Sequence, residues 1–257
     1  TNIDNDHLEY FESFTNLVEA FTRVINKVKQ TVVINYDDDN LRKIQIDNFM
    51  SYGEHDEVDI RISEPNIISY QKKNYTVDSA LIGKHYLSNI AGAIALCTLY
   101  KLSISGILEA ISKFSGVKRR LEYIGTYKEV KFYDDYGHHP TEIKATISAL
   151  KKNTLGKLFV IFQPHRFTRT RDNFEQLQES LEDADFAVVT DVYSAGEEPI
   201  PGISSKNFKG KNIKYIKSLR SVPIYIKENI KSGDNVLTLG AGDVTLLGPQ
   251  ILKYLND

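Results

Sequence analysis

Residues 134–140 read Asp134-Asp135-Tyr136-Gly137-His138-His139-Pro140. Two carboxylates, a phenol and two imidazoles can between them accept protons, donate hydrogen bonds and lie against a ring. Before them comes Phe132-Tyr133, the end of an apolar, strand-like run, and after them 141–147, which has helical spacing. A strand-to-helix turn at the C-terminal edge of a parallel sheet is where open α/β folds bind ligands.

Three later stretches are equally rich in polar groups. The second is Gln163-Pro164-His165-Arg166-Phe167-Thr168-Arg169-Thr170-Arg171, the third Asp191-Val192-Tyr193-Ser194-Ala195-Gly196-Glu197-Glu198, the fourth Gly240-Ala241-Gly242-Asp243. Arg166, Arg169 and Arg171 offer planar forks suited to a carboxylate or phosphate. A solvated basic face is the alternative. His138, His139 and His165 could be read as a zinc cluster, but adjacent histidines are poorly placed to share one metal and no cysteines support them. A substrate hydrogen bond suits one imidazole better, and His139, before Pro140, can be a buried structural residue. The 240–243 stretch resembles a dinucleotide fingerprint without its third glycine, and a plain C-terminal turn explains it equally well. Arg119-Arg120 is either a surface pair or a source of phosphate contacts. In the first half His7 follows Asp6 at a helix start, and His85 and Asn89 stand four apart on one helix face.

These residues must be positioned by regular elements. Apolar spacing predicts a helix over 7–28, a strand over 31–36, and meandering β-structure from 44 to 76, with segments at 48–52, 58–63 and 67–70. Helices follow at 84–101 and from Ser103 or Ser105 to about 114. After Gly116, paired strands are expected at 121–124 and 129–133. Helices at 140–151, 171–182, 219–231 and 244–254 then alternate with strands at 157–162, 186–192, 212–216 and 235–239. Such alternation predicts a mostly parallel sheet with helices on both faces. The domain boundary falls near 115–118.

Composition narrows the classes. Hydrophobic residues make up 41% and charged residues 26%, which excludes a disordered chain. A net charge of -2 and a pI near 6.3 provide no global basic field for nucleic acid or an anionic membrane. Neither partner is expected. Cys97 is the sole cysteine, so no internal disulfide forms, which agrees with a cytoplasmic location. The chain begins at Thr1 and its one methionine is Met50, so a natural N-terminus is expected to lie upstream.

Taken in order, the stretches 1–7, 83–91, 116–122, 134–142, 163–172, 191–199 and 240–244 resemble the Mur ligases, the ATP-dependent amino-acid ligases of peptidoglycan precursor synthesis. The stretches 134–142 and 163–172 are similar to the alanine-adding member. The resemblance implies that 1–117 is the later part of a central ATP-binding domain and that 118–257 is a Rossmann-like, amino-acid-binding domain. It implies ATP and Mg2+ as cofactors, UDP-N-acetylmuramate and L-alanine as substrates, and an acyl-phosphate intermediate. His7 resembles the family's magnesium-ligating histidine and Asn89 the asparagine that contacts adenine. Arg120 resembles the arginine that reaches the ATP phosphates. Asp135 is similar to the ribose-binding acid, with Tyr136 beside the nucleotide. His138, Arg166 and Arg169 resemble the group that holds alanine and aligns its amine, so Arg120 and His138 are the catalytic candidates. Tyr86 departs from the asparagine that often follows the histidine at position 85. No lysine lies between His7 and Asn26, so no carbamoylated lysine is expected. No Gly-Lys-Thr phosphate loop occurs in the 257 residues, so the missing N-terminal and P-loop segments are implied partners and the chain is expected to be inactive alone. Two other readings are a stand-alone α/β ligand-binding module and a related ligase that adds a recycled peptide.

Overall fold

The structure, a computed structural model, describes residues 1–257, Glu9 in its backbone alone. The chain divides into two compact units, 1–115 and 116–257.

The first unit opens with two short helices, α1 (Leu8–Phe11) and α2 (Phe14–Ile25). The single helix expected over 7–28 is broken because Glu12 turns left-handed (φ 66°) and Ser13 is extended. The Ser13 hydroxyl accepts from the Asn16 amide at 3.1 Å and starts the second helix. Next come β1 (Val32–Asn35), α3 (Asp39–Arg42), β2 (Phe49–Gly53), β3 (Ile60–Ser63), β4 (Ile67–Tyr70) and β5 (Lys73–Thr76). They form one sheet in chain order. Only β3–β5 meander, because β1, β2 and β3 pair in parallel. Helix α4 (Lys84–Leu99) covers the sheet, burying Leu87, Ile90, Ala91, Ile94 and Ala95 against Met50, Tyr52, Ile60 and Ile62. The Ser103 hydroxyl caps α5 (Ile104–Ser112). A smaller cluster joins Ile3, Leu17 and Leu41.

In the second unit β6 (Glu122–Tyr127) and β7 (Val130–Asp135) form an antiparallel hairpin. There follow α6 (Pro140–Lys152), β8 (Leu158–Phe162), α7 (Phe167–Asp172), α8 (Phe174–Glu179), β9 (Phe186–Val189), β10 (Ile213–Tyr215), α9 (Val222–Asn229), β11 (Asn235–Leu239) and α10 (Leu247–Asn256). The sheet order is β10-β9-β8-β11-β7-β6, parallel except for β6. The expected α/β class and mostly parallel sheet are therefore present. The helix expected over 171–182 begins earlier, at Phe167, and is interrupted at Asn173.

Burial on both faces explains the continuous apolar strands. Phe132, Phe159, Ile161, Val188 and Val236 pack on Val222 and Ile226 of α9 and Leu247, Ile251 and Leu255 of α10. The alternating Leu158, Val160, Phe162, Leu237 and Leu239 are buried as well, as are Ile143, Ile147 and Leu150 of α6, which packs on β8.

At the N-terminal end of this sheet Asp234 joins β8 to β11. It is 4% exposed, and its carboxylate accepts the amides of Lys157 and Lys231, each at 2.7 Å. Replacing Asp234 with Ala leaves both amides without that acceptor. The expected loss of stability is about 2–4 kcal/mol in urea unfolding, and a loss below about 0.5 kcal/mol would contradict this role.

Candidate functional site

The register of the second unit sets the site. Leu239 at the end of β11 stands opposite Asp135 of β7 and Phe162 of β8, and Phe162 stands opposite Val189 of β9. All four strands point the same way and stop level. The turns at 136–139, 163–166, 190–204 and 240–242 therefore leave from one edge, as their sequence spacing suggested.

The adjacent acids Asp134 and Asp135 are both buried, at 1% and 3% exposure, but face opposite sides of the sheet, since strand side chains alternate. Asp134 takes the hydroxyls of Thr238 (2.6 Å) and Thr245 (2.7 Å) and lies 3.5 Å from Nε of Arg119. Asp135 accepts two amides, from Leu121 and Gly137, both at 2.7 Å. Burial pushes its carboxyl up to about 6, against the downward pull of those amides and of Arg120. Gly137 is needed here, because a Cβ would sit 2.8 Å from an Asp135 oxygen. The candidate ribose acid is thus also the residue that shapes its turn.

Beyond Asp135 the chain enters α6 with Pro140 as its first residue. Glu142 reaches back to the amides of His138 (3.1 Å) and His139 (3.4 Å) and lies 3.4 Å from Arg120. Burial works against the Glu142 charge, but the His138 amide, the charges of His138 and Arg120, and the His139 amide together hold its pKa below the usual value. His138 Nδ1 lies 3.1 Å from the Tyr136 carbonyl. A carbonyl only accepts, so Nδ1 carries the hydrogen, and in the uncharged form of the ring Nε2 is the acceptor nitrogen. His139 is buried.

The second turn faces the first. The His138 and His165 rings are 5.9 Å apart, and Nη1 of Arg169 is 3.3 Å from Nδ1 of His165. The third turn lines the second. Tyr193 stacks on His165 at 5.5 Å and 14°, donates its amide to Pro164 and accepts the Arg166 amide, both at 2.8 Å. Arg166 takes φ 70° and ψ 138°, a backbone conformation that a residue with a Cβ rarely holds. The fourth turn is tied in by Gln163. Its side-chain amide donates to Asp243 (2.7 Å) and accepts from the Val244 amide (3.1 Å). Asp243 is therefore held by Gln163, while a 3-10 turn at Asp243–Leu246 leads into α10.

The structure thus brings Asp135, Tyr136, His138, Arg166 and Arg169 to one sheet edge, with Arg120 beside it. Arg119 has a larger part in the site than its sequence position suggests. It donates to the carbonyls of Gly240 (2.7 Å) and Gly242 (3.4 Å) and lies over the Tyr136 ring at 4.8 Å, closer than Arg120 at 5.7 Å. Its position beside Arg120 was the one available signal.

His7 and Asn89 belong to the first unit. Both are exposed. Asn89 lies on α4, and His7 Nε2 is 3.5 Å from an Asp6 oxygen. Among the described residues, no group of three or more His, Cys, Asp or Glu side chains is placed to hold a metal, so the zinc reading of His138, His139 and His165 finds no support. One imidazole and one carboxylate fit only a share of a magnesium shell, which typically keeps several waters and takes phosphate oxygens. Among the described residues, no helix is long and apolar enough to cross a membrane.

Comparison with known proteins gives two family matches. "Mur ligase middle domain" matches residues 1–97 and "Mur ligase, glutamate ligase domain" residues 119–242. A UDP-N-acetylmuramate–L-alanine ligase of Endomicrobium trichonymphae is 40% identical over 274 aligned positions, covering 99% of this chain and 60% of that protein. One from Caldicellulosiruptor bescii is 35% identical, covering 98% and 60%. The chain thus spans about three fifths of the length of these curated relatives. Among solved structures, a Thermotoga maritima UDP-N-acetylmuramate-alanine ligase superposes with a TM-score of 0.76 at 24% identity, covering 98% of this chain and 57% of that one. A MurF ligase from the same organism, in complex with ADP, gives 0.80 at 21% identity, covering 99% and 61%.

The site makes a pH prediction. Burial, then the charges of Arg169, His138 and Arg166, lowers the His165 pKa from 6.5 to about 4. Between these values the unfolded chain holds the extra proton, so stability falls as pH drops from 6.5 to about 4. His165→Gln should remove that part of the slope. By NMR the His165 ring should stay neutral down to about pH 5, and a midpoint near 6.5 would contradict the burial and charge argument.

Proposed function

The chain belongs to the Mur ligase family, and on that premise we propose that it supplies the amino-acid-accepting part of an ATP-dependent ligase that joins L-alanine to UDP-N-acetylmuramate. The observation that carries this reading is the cluster of His138, His165 and Arg169, with Arg166 on the same turn, at the C-terminal edge of the second unit's sheet. Guanidinium forks suit the alanine carboxylate, and an imidazole Nε2 acceptor suits its amine.

In the proposed reaction a carboxylate oxygen of UDP-N-acetylmuramate attacks the γ-phosphorus of ATP, and ADP leaves. The alanine amine then attacks the acyl carbonyl, phosphate departs and the amine proton is lost. Arg166 and Arg169 hold the carboxylate of alanine. His138, held by its Nδ1, would in its uncharged form offer Nε2 to the amine and receive its hydrogen bond. His165, kept neutral, adds no charge to repel the ammonium form. Arg120 answers the phosphate charge. Tyr136, flanked by Arg119 and Arg120, offers a ring to the nucleotide. Asp135 would meet the ribose through lone pairs its two amide bonds leave unused. His7 is proposed as one magnesium ligand and Asn89 as an adenine contact. Magnesium, when bound, would neutralise charge on the phosphate oxygens. A peptidoglycan-precursor ligase of this kind would work in the cytoplasm.

Two outcomes are expected. The 257-residue chain, having no Gly-Lys-Thr loop, should show no alanine-dependent ATP turnover, and measurable turnover would sink that expectation. In the complete ligase, Arg169→Ala should raise the KM for L-alanine about a hundredfold or more while the KM for ATP moves less than about threefold. An unchanged alanine requirement would remove the assignment.

A further inference from the structure

The third turn, 191–198, is left without a role by the reaction above. Its backbone makes a tight loop. The Glu197 amide donates to the Ser194 carbonyl at 3.0 Å, and Ala195 (φ 51°) and Gly196 (φ 88°) are both left-handed. Ala195 holds a conformation usually left to Gly or Asn. The loop is anchored on one side by the two Tyr193 backbone bonds to the second turn. On the other side it delivers one carboxylate.

That carboxylate is Glu197, 22% exposed. Oε1 accepts the Thr168 hydroxyl at 2.6 Å, and Oε2 accepts the Thr168 amide at 3.0 Å. The Phe167 amide adds to the hold. Helix α7 begins with Arg166 at its cap position, where no side chain closes the first turn. A carboxylate 29 residues away in sequence does so instead. Oε1 also lies 3.9 Å from Nε of Arg166. The residues between these bonds are the ones proposed to grip alanine.

We infer that Glu197 is a positioning residue for amino-acid recognition, closing the first turn of α7 so that Arg166 and Arg169 present their forks in fixed directions, and balancing one of their charges. This rests on the alanine reading of those arginines. In this role Glu197 need not contact any substrate. It acts through Thr168 and Arg166. A shorter acid cannot span to Thr168 from the same loop, and an amide cannot balance the charge.

The test uses the complete ligase with Glu197→Gln, Glu197→Asp, Thr168→Val and Arg169→Ala, each checked for an unfolding midpoint near that of the parent. The KM for L-alanine should rise about tenfold in Glu197→Gln and by several-fold in Thr168→Val, with kcat and the KM for ATP within about twofold. Glu197→Asp should not rescue. If Glu197→Gln does not fold, Thr168→Val carries the same comparison. An alanine KM raised by Arg169→Ala but unmoved by the Glu197 and Thr168 changes overturns this inference and leaves the alanine reading intact. If none of the four moves the alanine KM, the alanine reading itself fails. A fall in kcat with every substrate requirement unchanged would make Glu197 a structural brace, which also overturns the inference.

Discussion

Strand β11 sets the height of everything at the C-terminal edge of the second unit. It pairs in parallel with both β7 and β8, so Asp135, Leu239 and Phe162 stand in one row. The ladder runs one step past the strands, with Gln163 N–H to Leu239 O, Gly240 N–H to Asp135 O and Thr190 N–H to Phe162 O, all at 3.0 Å. A slip of one residue would turn every side chain to the other face. Asp135 would exchange places with Asp134, which now sits among Thr238, Thr245 and Arg119.

From that row the turns hold one another. Gln163 binds the fourth turn from the second, Tyr193 binds the second from the third, and Arg119 binds the fourth to the start of the hairpin. The electrostatics follow the same ties. Asp134 accepts two hydroxyls and lies 3.5 Å from Nε of Arg119. Asp135 accepts two amides, and burial pushes its carboxyl up to about 6. His165 is half-buried beside Arg169, His138 and Arg166, and its pKa falls to about 4. Glu197 is the acid set beside Arg166.

The sequence made the alternation of strands and helices after Gly116 legible, because period-two and helical spacing are local. The four polar turns were legible for the same reason, and the family followed from their order. The breaks were not. Glu12 and Asn173 end helices without a glycine or proline to announce it, and the second of these helices starts early because a carboxylate from another turn closes its first turn. The parallel pairing of β2 with β3 was hidden by a connection short enough to look like a meander. Arg119 and Glu197 escaped because their partners lie far along the chain, at Gly240 and Thr168.

Arg166 draws these threads together. A residue with a Cβ at φ 70° and ψ 138° is strained, and such strain persists only where neighbours over-determine it. Here they do. The Arg166 amide is taken by Tyr193, and its carbonyl accepts the Thr170 amide at 3.1 Å and hydroxyl at 2.7 Å. Both ends of the residue are fixed, and its Nε lies 3.9 Å from a Glu197 oxygen. A side chain launched from a fixed backbone loses less freedom when it binds, so the strain serves recognition and its cost is met by the packed sheet beneath. That is why the fork sits on a turn held by two others and not on the free face of a helix.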